Sequence, residues 1–331
     1  MPNPLDSTHI LAQFRELHGL LRDALYAHIC SASLESMSSP DRYEGGDIIY
    51  KLDTRGEEFL LPFCEKWAKK SPFLLVCEGL PGGQQLFGTN DISSAEFVLI
   101  CDPIDGTRPL MYDKRSAWFL IGAAPNVENP NLSHIEVALQ GELPTSKAGW
   151  ADCFWATKGD GAHGESLNLF SGATREVKPQ PSRATTISGG YAMFSKFFIG
   201  SKGFLADMEE RLVEGLLGEP PAGSPLTFDD QYISSGGQFY ELFSGRDRFN
   251  ADLRPLAHTR LFGDGAQRLC VHPYDCASEL IAREAGVIIT DEFGQDLSAP
   301  LDVETPVSWI GYANAAIRAQ VEPALMKLIH E

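Results

Sequence analysis

Two carboxylates three residues apart, Asp102 and Asp105, stand in the run Cys101-Asp102-Pro103-Ile104-Asp105-Gly106-Thr107. Carboxylate oxygens suit hard divalent cations, and the N–H groups of Gly106 and Thr107 at a helix start suit a phosphate. The combination reads as a metal-plus-phosphate site. Pro103 fixes its own φ, lacks an N–H and holds Asp102 extended. Gly106 allows backbone geometry that residues with a Cβ avoid. Thr107 can cap the helical turn that follows, with Pro109 tolerated in its first turn. An Asp-rich surface turn is the ordinary alternative. Two acids, a Pro, a Gly and a Thr in fixed order directly behind an apolar run argue against it.

The elements that must carry these residues follow from hydrophobic periodicity. Phe97-Val98-Leu99-Ile100 has the composition of a buried strand, and Phe73-Leu74-Leu75-Val76-Cys77 repeats its logic by delivering Glu78-Gly79 at its end. Ile10, Leu11, Phe14, Leu17, Leu20, Leu21 and Leu25 recur at three- and four-residue spacing, which predicts an amphipathic helix over 8–29 that covers a sheet. Residues 31–46 read as a loop and 47–52 as a strand, with a capping box at Thr54-Arg55-Gly56-Glu57 opening a helix to about Lys70. Asp53 lies at that junction, where a cap competes with a catalytic role, and the residues alone favour the cap. Further strands are expected at 118–124, 134–139 and 153–157, the last followed by a tight hairpin turn.

The Pro-, Ser- and charge-rich segment 171–185 reads as a boundary between two domains, 1–183 and 184–331. Beyond it, a strand begins at Thr186-Ile187-Ser188, 204–217 and 234–243 read as helices, and the Arg-dotted stretch 246–272 as irregular. Asp275 opens a helix that Gly286 closes, strands follow at 287–290 and 307–313, and 315–329 forms a terminal helix.

Composition narrows the function. The 331 residues carry a net charge of −18, from 27 basic and 45 acidic side chains, which disfavours a polynucleotide partner. No apolar run approaches the roughly 20 residues that span a bilayer, so no membrane association is expected. The first residues lack both a basic start and an apolar segment, pointing away from a secretory signal. Seven scattered cysteines without a Cys-x-x-Cys pair fit a reducing, cytoplasmic setting. An acidic protein acting on a phosphorylated metabolite needs local positive charge, and bound metal ions would supply it.

Four acids, Glu78, Asp102, Asp105 and Asp275, sit where strands or helices meet turns. Brought together, each pair would repel by roughly 4 kcal/mol at about 4 Å and an effective dielectric of about 20, a cost that only cations make tolerable. Asp275 alone reads as a helix cap. The run Asp102-Pro103-Ile104-Asp105-Gly106-Thr107, with Asp275-Cys276-Ala277-Ser278, Ala285-Gly286-Val287 and Phe293-Gly294 downstream, resembles the inositol monophosphatase-like family. That family lies within the fructose-1,6-bisphosphatase superfamily of lithium-sensitive, magnesium-dependent phosphatases. Tyr274 replaces the family's usual Trp, and Glu78-Gly79 keeps only the first Glu of its Gly-Glu-Glu segment. The likeness runs from about Asp47 to Asn314.

The resemblance implies an α/β sandwich of α-β-α-β-α layers, with most metal ligands in the N-terminal domain. It implies that Glu78, Asp102 and the Ile104 carbonyl hold one Mg²⁺, that Asp102, Asp105 and Asp275 hold a second, and that Glu78 helps a looser third. Mn²⁺ is an acceptable substitute. It also implies that Thr107, aided by Asp53, and Glu78 position and deprotonate a water, while Asp105, Gly106 and Thr107 hold the phosphate. Gly236 or Gly237 would lie near the sugar and Asp252 would hold its hydroxyls. The longer segment between Asp252 and Asp275 departs from the simple monophosphatases, and Arg108, Arg246 and Arg248 are candidates for gripping a second phosphate.

The expected activity is a Mg²⁺-dependent phosphomonoesterase acting on a small sugar or inositol monophosphate, with a homodimer fitting the resemblance. The alternatives are a bisphosphatase for fructose 1,6-bisphosphate or a 3′-phosphonucleotide, and a non-catalytic phospho-ligand-binding protein. A haloacid-dehalogenase-type site would need Asp-x-Asp, which the three-residue spacing excludes, and His258 and His272 form no His/Cys metal cluster.

Overall fold

The computed structural model describes residues 5–44, 47–265 and 268–331, and for residues 40–58 the backbone alone. Along the strand Phe97–Asp105, side chains alternate between two cores: Phe97, Leu99 and Cys101 enter one, Val98 and Ile100 the other. Both faces of this sheet are therefore covered, as a strand with no polar alternation requires. One face receives the helix Ser7–Ser31, through Phe14, Leu17, Leu21 and Leu25, and the helix Lys51–Trp67, through Leu60, Phe63, Cys64 and Trp67. The other face receives the helices Ser235–Phe243 and Glu279–Ala285.

The large sheet has eight strands, in spatial order 174–176, 162–168, 150–157, 137–143, 117–125, 97–105, 73–77 and 84–87. All its pairings are antiparallel except that of Phe73–Cys77 with Phe97–Asp105. A second sheet of four strands, in the order 191–194, 247–252, 309–312 and 288–290, shares Trp309 and Ile289 with the middle helices. Its far side, through Phe194, Phe249, Ile310 and Tyr312, packs on the helices Lys202–Leu217 and Ala315–His330. The layers run helix, sheet, helix, sheet, helix, the α-β-α-β-α arrangement expected from the sequence, and the two halves of the chain share the middle one.

Four stretches differ from their sequence-based reading. Residues 31–46, read as a loop, include a short helix Leu34–Met37 and a strand Pro40–Glu44 that pairs with Asp47–Tyr50. The following helix begins at Lys51 rather than Thr54. The strand expected at 186–188 lies at Tyr191–Phe194. The stretch 246–272 contains a strand, Asp247–Asp252, and a helix, Arg254–Phe262. Its polar residues hide the strand because they find partners inside the fold. Asn250 Nδ2 donates to Asp247 Oδ2 at 3.1 Å, and Arg248 Nη1 donates to the carbonyls of Thr186 and Ser188. Among the described residues no helix is long and apolar enough to cross a membrane.

Candidate active site

In a regular strand, residues three apart face opposite sides of the sheet. Asp102 and Asp105 escape that rule through a bulge. Asp102 pairs with Leu120 and Asp105 with Trp118, so three steps on one strand match two on its partner. The extra residue falls in the Pro103-Ile104 segment, where a residue without an N–H costs the ladder nothing. The Ile104 N–H turns back to Asp102 Oδ1 at 2.9 Å, and the Thr107 hydroxyl donates to the Ile104 carbonyl at 2.9 Å. Gly106 sits at φ 96°, in the left-handed region, where a Cβ would also stand 3.0 Å from that of Ser234.

Asp105 lies at the start of the helix Ser235–Phe243. Its Oδ2 accepts from the Gly236 N–H at 2.6 Å and from the Ser234 hydroxyl at 2.8 Å, while that hydroxyl accepts from the Gly237 N–H. Helix-terminal N–H groups and the helix dipole both favour a carboxylate in this place. Asp275 occupies the turn Pro273–Cys276, with Oδ2 accepting from the His272 N–H at 2.7 Å. Glu78 follows Cys77, whose register partner is Cys101, so the parallel pairing sets Glu78 beside the step to Asp102.

Carboxylate oxygens of Asp102, Asp105 and Asp275 lie within 4.8 Å of one another. Burial, then the charges of Asp105, Asp275 and Glu78, push the Asp102 carboxyl well above the usual carboxylate range. Asp275 moves the same way, by burial first and then by Asp105. Asp105 rises to about 6: burial raises it, and the hydrogen bonds from Gly236 and Ser234 oppose the rise. This geometry fits a hard cation. The donors are all carboxylate oxygens, close together and largely withdrawn from solvent, with hydrogen bonds from Ile104, Ser234, Gly236 and His272 orienting them.

The cluster opens into a cleft of about 150 Å³ lined also by Glu78, Ile104, Gly106 and Thr107. The fold thus gathers Glu78, Asp102, Ile104, Asp105, Gly106, Thr107 and Asp275 around one space. The opposite wall is aromatic and cationic. Phe197 and Phe198 pack edge to face, with the Arg254 guanidinium 4.6 Å and 5.3 Å from their ring centres and that of Arg108 5.6 Å from Phe198.

Other residues named from the sequence lie elsewhere. Gly236 and Gly237 do not line the cleft. A Cβ on Gly236 would stand 2.5 Å from Leu120 and one on Gly237 2.5 Å from the Tyr232 ring, so both glycines let the helix approach the sheet. Asp252 is fully buried and gives both oxygens to Arg254, at 2.7–2.9 Å, so its carboxylate is turned from the cleft rather than toward substrate hydroxyls. Arg248 is bonded to carbonyls as above, and Arg246 stacks on Tyr240 away from the cleft. The side chain of Asp53 lies outside the described residues; its backbone is in the first turn of the helix Lys51–Trp67.

Sequence reading passed over Ser234, which was seen only as a helix start, and Gln140, a polar residue on a core-facing strand position. Period-2 placement of Gln140 with Ala138 was the available signal.

No protein-family model matches the chain, and no curated protein matches it in sequence. Solved structures do match in fold. The fructose-1,6-bisphosphatase of Leishmania major, in holo form, superposes over 100% of both chains with TM-score 0.66 and 14% identity. The extragenic suppressor protein SuhB of Bartonella henselae matches over 96% of this chain and 99% of its own, with TM-score 0.64 and 15% identity. The IMPase of Thermotoga maritima matches over 97% and 98%, with TM-score 0.64 and 15% identity. The chain has the fold shared by inositol monophosphatases and fructose-1,6-bisphosphatases, as its signature run implied.

Proposed function

We propose that this protein is a divalent-metal-dependent phosphomonoesterase. The observation that carries the reading is the convergence of Asp102, Asp105 and Asp275 to within 4.8 Å at the base of a cleft. The shared fold supports it, since the similar structures include an IMPase and a fructose-1,6-bisphosphatase. Two or three Mg²⁺ ions, held by Glu78, the Ile104 carbonyl and the three aspartates, would neutralise the phosphate and ease both attack and departure of oxygen.

The chain's own groups do the rest. Gly106 and Thr107 direct the phosphate at the strand end, with the Thr107 hydroxyl anchored on Ile104. Glu78 and Thr107 orient the attacking water, and Glu78 takes its proton. As the water oxygen bonds to phosphorus, the bond to the substrate oxygen breaks, and the departing alkoxide takes a proton from a solvent water in the open cleft. The substrate is a small sugar or inositol monophosphate. Its hydroxyls meet a wall of Phe197, Phe198, Arg108 and Arg254 rather than the Asp252 carboxylate, so polyol recognition in this cleft does not rest on Asp252.

The test is phosphate release from a panel of phosphomonoesters, with Mg²⁺ and with chelator, for the wild-type protein and Asp105→Asn. Mg²⁺-dependent release that the variant loses by about 10³-fold or more is expected, with inhibition by lithium. Release that survives chelation, or no release from any ester by folded, Mg²⁺-loaded protein, overturns the reading.

A further inference from the structure

The strand Val137–Leu143 sends Val137, Leu139 and Leu143 into the core under the N-terminal helices. Gln140 stands on the other face, with Ala138, and is fully buried. An amide placed in an apolar layer costs free energy unless its polar atoms are bonded. Here both ends are. Nε2 donates to the Gly236 carbonyl at 2.6 Å, and Oε1 accepts from the Ser278 hydroxyl at 3.0 Å.

Those two partners belong to the two segments that present the acids. The Gly236 N–H holds Asp105 Oδ2, one peptide unit from the carbonyl that Gln140 holds. Ser278 lies three residues beyond Asp275 and caps the helix Glu279–Ala285. The two segments come from distant parts of the chain and pack against each other over the large sheet, where Gln140 is bonded to both. We infer that Gln140 is a positioning residue for the carboxylate cluster, a single amide that sets the separation between the helix start holding Asp105 and the turn carrying Asp275. This rests on the metal reading above. Carboxylates crowded within 4.8 Å repel in the absence of a cation, and a tie at the sheet side keeps them from drawing apart. Residues that orient ligands in this manner change metal affinity by about 10–100-fold when removed.

The experiment is a calorimetric titration of Mn²⁺ into metal-free protein, alongside thermal unfolding, for wild type, Gln140→Met, Ser278→Ala, their double variant and Leu139→Ala. Gln140→Met is expected to weaken Mn²⁺ binding by about tenfold. Ser278→Ala shifts it in the same direction by less, and the double variant is no weaker than Gln140→Met, because the link is already cut. Leu139→Ala, on the opposite face, lowers the unfolding temperature and leaves Mn²⁺ affinity at the wild-type value. Wild-type affinity in Gln140→Met overturns the inference, as does an equal loss in Leu139→Ala, which would reduce Gln140 to packing. If Gln140→Met does not fold, Ser278→Ala decides alone, and wild-type affinity there overturns it. A wild-type protein that binds no Mn²⁺ overturns the metal reading itself, a result distinct from the others.

Discussion

Buried acids close to the same cleft are handled in two opposite ways. Asp252 is fully buried and meets its counter-charge inside the protein, with Arg254 Nε and Nη2 donating to both its oxygens. Asp102, Asp105 and Asp275 meet one another instead: burial raises all three, and neighbouring acids add to the rise at Asp102 and Asp275. The difference separates an acid whose charge a neighbouring guanidinium balances from acids gathered with no cation bonded to them among the described residues. It also leaves both Asp252 oxygens on Arg254, where the family resemblance had implied a carboxylate that holds substrate hydroxyls.

The sharpest way to break this comparison is to remove the internal counter-charge. Arg254→Met leaves Asp252 buried without its counter-charge, with only the backbone N–H of residue 254 still donating to it, and should cost about 3–5 kcal/mol in chemical denaturation. Adding Asp252→Asn should restore much of that loss, since an amide tolerates burial better than an unpaired charge. A double variant as unstable as the single would mean that Arg254 acts through its packing on Phe197 and Phe198. At the cluster the expected sign reverses. Asp105→Asn keeps an oxygen for the Gly236 N–H and the Ser234 hydroxyl while removing one charge, so metal-free protein should be as stable as wild type or more so. Wild type should gain about 2.7 kcal/mol when Mg²⁺ is at 100 times its Kd, and the variant should lose most of that gain. Unfolding with and without Mg²⁺ measures both. A metal-free variant clearly less stable than wild type would show that the cluster is a structural pair network.

What could be read in the sequence was local. Apolar runs ending in an acid placed Phe73–Cys77 with Glu78, and Phe97–Ile100 with Asp102, because a buried strand announces itself in its own residues. That Asp102 and Asp105 share a side depends on the bulge opposite Leu120 and Trp118, which is a property of the pairing and not of either strand alone. The strand Asp247–Asp252 was missed for a related reason. Its polar residues read as solvated until their partners, Arg254 for Asp252 and two carbonyls for Arg248, are brought to them by tertiary structure. The Asp-x-Arg spacing of Asp252 and Arg254 was visible, but it means an ion pair only where a strand turns into a helix.

Glu142 supplies a third way to bury an acid, and the smallest of the expected effects. It lies on the same strand as Gln140, away from the cleft. Its oxygens accept from the Ser116 hydroxyl at 2.6 Å and the Asp152 N–H at 2.9 Å. It has no tight cation and no acid cluster: Asp152 raises it, and Arg246 opposes weakly. Burial lifts its carboxyl to about 7. Because the folded protein holds that proton more tightly than the unfolded chain, the contribution of Glu142 to stability is complete below its usual value near 4.5. It is lost as pH rises through about 7. Between those limits wild type should lose on the order of 2 kcal/mol that Glu142→Gln does not lose, because an amide can accept from the Asp152 N–H and donate to the Ser116 hydroxyl without titrating. Parallel stability–pH curves for the two proteins from pH 5 to 8 would mean that Glu142 is ionised in the fold and draws on Arg246 as Asp252 draws on Arg254. Curves that diverge as pH rises would set Glu142 apart from both other classes, as an acid the fold keeps neutral.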